Sequence, residues 1–328
     1  TGKIIDVGNV PPLFYKVVSD LKARNNVYLY GGAGTGKTYI AQVIADALNC
    51  TLIEINCNQY TSPLELQGGQ TIDGYQQGKL ITAYANLKSD PLEGVVGGME
   101  EGKTGCLLLL DELPKIDPNT AGILNSALAK VKDPKERSAI EDARGTKFDR
   151  GNFYCIATGN IQLNKESTDY VANFQQDLSL QDRFVGSTYE VIMDVPLMLS
   201  LMELRGADGT IQKYTFIFNY CMRVKNLIES PEGQNRGLGS QAFISIRIMQ
   251  SLRDSWIFWY KNHKETPETK TLQEGIMSFL GLFDDEGRKW LEENSNMKAF
   301  FAEINSMASK PLGSVTDAQT KEANDLVQ

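Results

Sequence analysis

The stretch GGAGTGKT, residues 31–38, matches the pattern G-x-x-x-x-G-K-[ST] of a phosphate-binding loop. It lies between the apolar run VYLY (Val27–Tyr30) and the segment KTYIAQVIADALN, which is typical of a helix. Glycines let such a loop turn its backbone N–H groups around a polyphosphate, and the helix start adds a positive dipole end. A plain Gly-rich turn is the alternative, but the strand before the loop and the helix after it favour phosphate binding. The stretch therefore predicts that the chain binds a nucleoside triphosphate.

The loop and the residue after it are expected to hold the nucleotide. Lys37 is expected to reach the β- and γ-phosphates, and the Thr38 hydroxyl is expected to ligate Mg²⁺. The predicted cofactors are therefore a nucleoside triphosphate and Mg²⁺. The predicted nucleotide-binding residues are Gly31, Gly32, Ala33, Gly34, Thr35, Gly36, Lys37, Thr38 and Tyr39.

The run GCLLLLDEL, residues 105–113, places two carboxylates directly after four leucines. A continuous apolar run is typical of a strand buried on both faces in a parallel sheet. Ligands of such sheets bind beyond the carboxyl ends of the strands, so Asp111 and Glu112 are expected near the phosphates. Asp111 is predicted to hold Mg²⁺, directly or through water, and Glu112 to orient and polarise the attacking water. Acidic residues often begin loops, but the combination with the phosphate loop favours these roles.

A third apolar run, NFYCIATGN (residues 152–160), ends on small and polar residues. In a parallel sheet, Asn160 is expected to lie level with Asp111 on a neighbouring strand. There its amide could hold the water or the γ-phosphate without adding charge. The alternative is a turn asparagine after Gly159, and the spacing alone leaves both interpretations open.

The motifs GGAGTGKT, LLLLDE, ATGN and LQDRF, in this order, resemble those of AAA+ ATPases, and within them the MoxR and dynein-related branch. The correspondence covers most of residues 10–262. The resemblance implies that Lys37 and Thr38 are the Walker A residues and that Asp111 and Glu112 are the Walker B pair. It also implies that Asn160 is the sensor 1 residue.

Two arginines receive a role from the resemblance. Arg183, in the sequence QDRF, matches the arginine finger, which acts on the nucleotide of a neighbouring subunit; without the resemblance it is an ordinary arginine near a helix end. Arg247 resembles sensor 2, which contacts the γ-phosphate from a small helical lid domain. Its surroundings, AFISIRIMQSLRDSWIFWY, are apolar at helical spacing, and Arg253 is a competing candidate. The predicted catalytic residues are Glu112, Asn160, Arg183 and Arg247.

Alternating apolar strands and helices before residue 194 predict an α/β fold, with a parallel sheet covered by helices on both faces. The predicted strands are 27–30, 51–56, 106–110, 153–158 and 189–194. The resemblance implies an AAA+ αβα sandwich with a five-stranded parallel sheet, followed by a small helical lid domain. The expected domains are a nucleotide-binding core over residues 1–194, a lid with C-terminal helices over 195–310, and a flexible tail over 311–328.

Two insertions interrupt this pattern. The first, residues 61–80, is rich in Gly and Gln around Tyr75. The resemblance implies a hairpin here that faces the central pore of a ring, where an aromatic side chain could push on a polypeptide. A surface hairpin whose tyrosine packs on its neighbour is the alternative. The second insertion, residues 132–151, is densely charged with both signs and matches a hairpin before the sensor 1 strand; no residue in it is assigned a role.

The composition limits the partner and the compartment. The net charge of −8 and the pI near 5.0 argue against a surface built mainly to bind nucleic acid, although a basic pore inside an acidic whole would not change these totals. Five cysteines without a C-x-x-C pair favour a reducing, cytoplasmic compartment, in which cysteine acts as a small hydrophobe. The single histidine, His263, supports neither zinc nor Ser-His chemistry. No membrane span or signal peptide is visible in the sequence.

The leading functional hypothesis, implied by the resemblance, is a hexameric ring that uses ATP hydrolysis to remodel or activate a protein partner, as a MoxR-like chaperone. A nucleic-acid motor or restriction-type NTPase subunit of the same branch, using ATP or GTP, is the alternative. Those proteins carry M-N-x-x-D-R around sensor 1, whereas residues 158–163 read TGNIQL, which favours the protein partner. A third hypothesis is an ATPase whose output is its assembly, and the intact Glu112 argues against it.

Overall fold

The chain divides into two compact units, Thr1–Ile192 and Met193–Gln328. The computed structural model describes residues 10–129, 138–161, 178–192 and 213–327. The predicted boundary between core and lid, at residues 194 and 195, lies outside the described residues. The predicted phosphate loop, carboxylate pair and sensor 1 strand all fall in the first unit.

The first unit is built around a parallel five-stranded sheet. Its strands are β1 (Val27–Tyr30), β2 (Cys50–Asn56), β5 (Gly105–Asp111), β8 (Phe153–Gly159) and β9 (Thr188–Glu190). They lie in the order β2-β5-β8-β1-β9, and every neighbouring pair is parallel. The sheet confirms the predicted α/β class. Its last strand is shorter than predicted, since β9 ends at Glu190.

Helices cover both faces of this sheet because its central strands are apolar on both sides. The helices of this unit are α1 (Leu13–Lys22), α2 (Lys37–Ala47), α3 (Pro63–Gln67), α4 (Lys79–Ala85), α5 (Pro118–Ala121), α6 (Leu124–Ala127) and α7 (Leu178–Asp182), with 3-10 turns at Pro91–Glu93 and Leu113–Lys115. In β5, Leu107 and Leu109 pack in a core with α1 and α2, whereas Leu108 and Leu110 pack in a second core with α4. The predicted αβα sandwich is confirmed.

Both predicted insertions contain an antiparallel hairpin. The first hairpin pairs β3 (Gly68–Thr71) with β4 (Gly74–Gln77) and lies between α3 and α4. The second pairs β6 (Ala139–Glu141) with β7 (Lys147–Asp149) and leads directly into β8. Residues 132–137, the beginning of the second insertion, lie outside the described residues.

Tyr75 packs between the two hairpins. The Arg144 guanidinium lies over its ring, 3.8 Å from the ring centroid, and its hydroxyl donates to Asp142 Oδ2 at 3.1 Å. Burial acts to raise the pKa of Asp142, but hydrogen bonds from Thr146 and Arg144 outweigh burial and hold that pKa below its usual range. The turn of the first hairpin instead carries Ile72, which is fully exposed. The structure therefore agrees with the packing interpretation of Tyr75.

The five cysteines are all buried and free, in agreement with their expected use as small hydrophobes. Burial raises the pKa of Cys50 to about 11 and that of Cys106 to about 11. Both groups are therefore neutral thiols near pH 7, and neither has the thiolate character of a reactive cysteine.

The second unit is helical, as predicted. Its helices are α8 (Thr215–Glu229), α9 (Pro231–Asn235), α10 (Leu238–Gln241), α11 (Ile246–Asn262), α12 (Leu272–Leu280), α13 (Asp285–Asn294), α14 (Met297–Ala308) and α15 (Asp317–Val327). The core forms around α8, where the Tyr220 ring stacks on Phe300 of α14 with a centroid distance of 4.0 Å. Within the described parts of the chain, no helix has the length and apolar character needed to cross a membrane.

The prediction of a flexible tail is wrong for residues 317–327, which form α15. This helix packs against α8: Ala323 is fully buried, and Asn219 Nδ2 donates to the backbone oxygen of Gln319 at 3.0 Å. The polar composition of this segment wrongly suggested a flexible tail. The residues on the buried side of the helix are a small alanine, Ala323, and a glutamine, Gln319, instead of large apolar residues.

Ala323→Arg is expected to lower the free energy of unfolding by about 3 kcal/mol, because a fully buried methyl group leaves no room for a charged side chain. Ala318→Arg is the matched control: Ala318 is exposed on the same helix, so its change should stay within about 0.5 kcal/mol. Urea unfolding followed by tryptophan fluorescence measures both. An equal loss in the two variants would contradict the docking of α15.

Candidate nucleotide-binding site

The predicted phosphate loop connects β1 to α2 and places Lys37 inside the protein. Gly36 precedes α2 in the left-handed region at φ 95°, a conformation that glycine adopts without strain. Lys37 is 8% exposed, and its Nζ donates to the backbone oxygens of Gly31 at 2.8 Å and Gly32 at 2.9 Å. These two contacts hold the ammonium group against the loop where the polyphosphate is predicted.

Asn160 contacts the same amine. The register of β1 and β8 sets Gly159 opposite Tyr30, so the residue after β8 lies beside the start of the phosphate loop. Asn160 Oδ1 accepts a hydrogen bond from Lys37 Nζ at 3.2 Å. Only glycine fits at position 159, directly before Asn160, since a Cβ there would lie 1.9 Å from the hydroxyl oxygen of Tyr28. This placement agrees with the sensor 1 role, which stays a prediction.

The sheet register differs from the prediction that Asn160 lies level with Asp111. Thr158, and not Asn160, lies level with Asp111 across β5 and β8. The buried Thr158 hydroxyl donates to Asp111 Oδ1 and accepts a hydrogen bond from the backbone N–H of Glu112 at 3.0 Å. Thr158 thus orients both members of the carboxylate pair. The sequence analysis missed it, although a polar residue at the buried end of an apolar strand was a usable signal.

Glu112 follows β5 in a conformation that is uncommon for any residue except glycine. Its φ and ψ are 57° and 39°, in the left-handed region, where non-glycine residues cluster at functional sites. Its carboxylate pairs with Lys115 Nζ at 2.5 Å, and both side chains are partly exposed. The sequence analysis did not predict this pairing of Lys115, although a cation three residues after Glu112 could have indicated it.

The residues predicted to hold Mg²⁺ fit this ion. Thr38 Oγ1 lies 3.4 Å from Asp111 Oδ1 and 3.5 Å from Asp111 Oδ2. Mg²⁺ prefers oxygen ligands and commonly binds through one or two protein groups together with water and substrate phosphates. A hydroxyl and a carboxylate side by side next to the phosphate loop supply that donor set.

The other predicted nucleotide-binding residues form the rim of the loop. Ala33, Gly34 and Thr35 are partly exposed, and the Thr35 hydroxyl donates to the backbone oxygen of Gly32 at 3.0 Å. Tyr39 is 37% exposed in the first turn of α2. A ligand on the loop is therefore accessible from solvent.

Arg183 lies just after α7 and is anchored through its backbone, whose oxygen accepts a hydrogen bond from Asn26 Nδ2 at 3.2 Å. Its side-chain Nε is buried and has no hydrogen-bond partner within the described segments. In those segments, neither a hydrogen bond nor an ion pair joins the Arg183 guanidinium to the phosphate loop or to Asp111 and Glu112. The structure thus does not bring Arg183 into the set of contacts around Lys37.

Arg247 lies in the second unit, near the start of α11, and its side chain is exposed. The competing candidate Arg253 lies on the same helix and pairs with Asp254 at 2.8 Å. The apolar side of α11 is buried through Met249, Leu252 and Trp256, as the helical spacing predicts. The sensor 2 role of Arg247 stays a prediction.

The segment that contains this site matches a known protein family. Residues 26–184 match the family model for the AAA domain of the dynein-related subfamily, slightly less than half of the chain. That range contains the whole phosphate loop together with Asp111, Glu112, Asn160 and Arg183. The match supports the predicted AAA+ ATPase core, and the MoxR branch stays a prediction.

The relatives of this chain include uncharacterized staphylococcal proteins and Lon proteases. An uncharacterized protein of Staphylococcus haemolyticus is 28% identical over 248 residues, covering 73% of this chain and 82% of that protein. One of Staphylococcus saprophyticus is 26% identical over 177 residues, covering 53% of this chain and 58% of that protein. The Lon protease of Mycoplasmopsis agalactiae is 29% identical over 170 residues, which are 49% of this chain and 16% of the protease. The chain thus spans less than two thirds of the last two relatives.

Among solved structures, this chain is similar to NtrX from Brucella abortus. Its complex with ADP aligns with 98% of this chain and 69% of that chain, at 13% identity and a TM-score of 0.46. Its complex with ATP aligns with 99% and 69%, at 15% identity and the same TM-score of 0.46. The strand order of the sheet, and not this similarity, defines the fold.

Thr158→Val is expected to lower nucleotide turnover by about tenfold or more and to raise the Mg²⁺ concentration needed for it. The substitution removes the hydrogen bond that orients Asp111 and leaves the Glu112 N–H without its acceptor. Thr158→Ser keeps the hydroxyl and is the matched control. Phosphate release measured over a Mg²⁺ titration distinguishes the two. A valine variant with the Mg²⁺ dependence of the parent would contradict this role of Thr158.

Proposed function

We propose that this chain is an ATPase that assembles into a hexameric ring and couples ATP hydrolysis to remodelling or activation of a protein partner. The observation that carries the proposal is that the predicted site residues meet at the carboxyl ends of three neighbouring strands, β1, β5 and β8. These residues are Lys37, Thr38, Asp111, Glu112 and Asn160. Ligands of open α/β sheets bind at this edge.

In the proposed reaction the residues of the chain position and polarise the reactants and form no covalent bond. Lys37 binds the β- and γ-phosphates, and Asn160 holds the attacking water or the γ-phosphate through a neutral amide. Glu112 orients the water and polarises it by accepting its hydrogen bond. When bound, Mg²⁺ would offset the charge that develops on the phosphate oxygens, and Thr38 and Asp111 would hold it.

Lys37→Ala and Glu112→Gln are expected to fail at different steps. Lys37→Ala removes the cation at the loop and should weaken ATP binding by about a hundredfold or more. Glu112→Gln keeps size and hydrogen bonding but loses the carboxylate, so ATP should bind with turnover lowered by about 10²–10⁴-fold. Lys16→Ala, at an exposed lysine of α1, is the control. Binding of a fluorescent ATP analogue and phosphate release measure the two steps, and wild-type turnover by Glu112→Gln would reject its catalytic assignment.

The ring is proposed because Arg183, in the sequence QDRF, matches the arginine finger, a residue that acts on the nucleotide of a neighbouring subunit. In the part of the chain that the structure describes, its guanidinium forms no hydrogen bond or ion pair with Asp111 or Glu112, as expected of a residue that does not act on the site of its own subunit. An arginine that completes a neighbour's site would place the nucleotide between subunits and would make activity depend on assembly.

A mixing experiment tests this arrangement. Arg183→Ala and Lys37→Ala chains should each be inactive alone, and mixing them should restore part of the turnover, because each chain supplies what the other lacks. Turnover per subunit of the parent should also rise with protein concentration as subunits assemble. Absence of recovery, together with a monomer by light scattering in ATP, would contradict action of Arg183 on a neighbour.

The partner is proposed to be a protein, in the manner of a MoxR-like chaperone. The net charge of −8 and the absence of an Asp-Arg pair in residues 158–163 disfavour a nucleic-acid motor. The similarity to a Lon protease, which by its name acts on proteins, favours a protein partner. The buried, free cysteines support the proposed cytoplasmic location. Turnover with ATP or GTP that rises on addition of DNA or RNA would favour the alternative.

A further inference from the structure

Tyr28, on β1, reaches the segment that carries Asn160. Its side chain is fully buried, and its hydroxyl donates to the backbone oxygen of Ile161 at 2.7 Å. Burial raises the pKa of Tyr28 well above its usual range, so the hydroxyl is neutral near pH 7 and remains a hydrogen-bond donor. The roles proposed above for the residues of the nucleotide site make no use of this contact.

The contact lies next to a residue of the candidate site. Asn160 directly follows Gly159, the last residue of β8, and so lies beyond the end of the strand. The backbone oxygens before and after it both accept hydrogen bonds. That of Gly159 accepts from the Gly31 N–H at 3.3 Å, and that of Ile161 accepts from the Tyr28 hydroxyl. The phosphate loop and β1 therefore hold the backbone on both sides of Asn160.

The Tyr28 ring is fixed by its neighbours, so its hydroxyl has a defined position. The ring packs against that of Phe184, with a centroid distance of 6.0 Å, and stacks on that of Tyr30 at 6.3 Å. The hydroxyl oxygen also lies directly against the backbone of Gly159, where the missing side chain leaves the room that it needs. A closely packed contact of this kind permits little displacement of the segment that it holds.

We propose that Tyr28 is a positioning residue, which holds the Asn160 amide at the place where the attacking water or the γ-phosphate binds. The inference rests on the proposed function, in which Asn160 contacts one of these two groups. The Tyr28 hydroxyl is engaged with Ile161, so it acts on the reaction through Asn160 and not on a reactant directly. Positioning is a main contribution of a protein to phosphoryl transfer, so an amide that is free to shift lowers the rate of the chemical step.

The test compares Tyr28→Phe with Tyr154→Phe. Both remove one hydroxyl and keep the ring, but Tyr154 lies at the start of β8, at the opposite end of the strand from Asn160, so it is the matched control. Tyr28→Phe should lower kcat by about tenfold or more. It should leave KM for ATP within about twofold, because the phosphate loop and Lys37 supply the binding. Tyr154→Phe should match the parent in both constants, and phosphate release over an ATP titration measures them.

The same substitution in an Asn160→Ala background separates positioning from a contribution to stability alone. If Tyr28 acts through Asn160, Tyr28→Phe should lower kcat by less than about twofold once the amide has been removed. A contribution to stability alone would lower kcat equally in both backgrounds. The Ile161 oxygen loses its donor in both backgrounds, so any fall in melting temperature should be the same in both and cancels in the comparison.

The possible outcomes separate this inference from the proposed function. Parent-like kcat in Tyr28→Phe, an equal fall of kcat in the two backgrounds, or a rise in KM with kcat unchanged would each overturn the positioning role and leave the ATPase proposal standing. Parent-like turnover by Asn160→Ala alone would reject the role of Asn160, and that of Tyr28 with it. A parent chain without ATP turnover would reject the proposed function itself, together with this inference.

Discussion

The enclosed ammonium group of Lys37 is the constraint on which the rest of the site depends. A side chain that is 8% exposed keeps its charge only if polar groups replace the water it has lost. Two backbone oxygens of the phosphate loop and the Asn160 amide do so in this structure. These three acceptors are neutral oxygens, which solvate the ammonium group through hydrogen bonds. A polyphosphate at the loop would lie within reach of this ammonium group.

The parallel sheet supplies the geometry that this arrangement needs. Because β8 lies between β5 and β1, the residues that follow the three strands meet at one edge. Side chains alternate between faces along a strand, so a shift of one residue in the β5–β8 register would turn Thr158 away from Asp111. The second hairpin leads directly into β8, so the sheet also positions this insertion.

The fold and most of the site could be predicted from the sequence because their signals are local. Four leucines before Asp111 and the Gly-rich loop before Lys37 each combine an apolar run with a polar end. Thr158 and Lys115 were missed because their contacts depend on strand register and on the turn after β5, neither of which a motif encodes. The docking of α15 was missed because its buried residues are small or polar.

A structure of the protein with Mg²⁺ and a slowly hydrolysed ATP analogue tests the central claim most directly. The account predicts phosphate oxygens within hydrogen-bond distance of Lys37 Nζ, with the metal held at Thr38 and Asp111 and with Glu112 facing the γ-phosphate. It also predicts that the Lys37 amine exchanges its contacts with the loop oxygens for contacts with the phosphates. An analogue bound away from residues 31–38, or a Lys37 amine that keeps its contacts with the oxygens of Gly31 and Gly32 and makes none with the phosphates, would contradict the account.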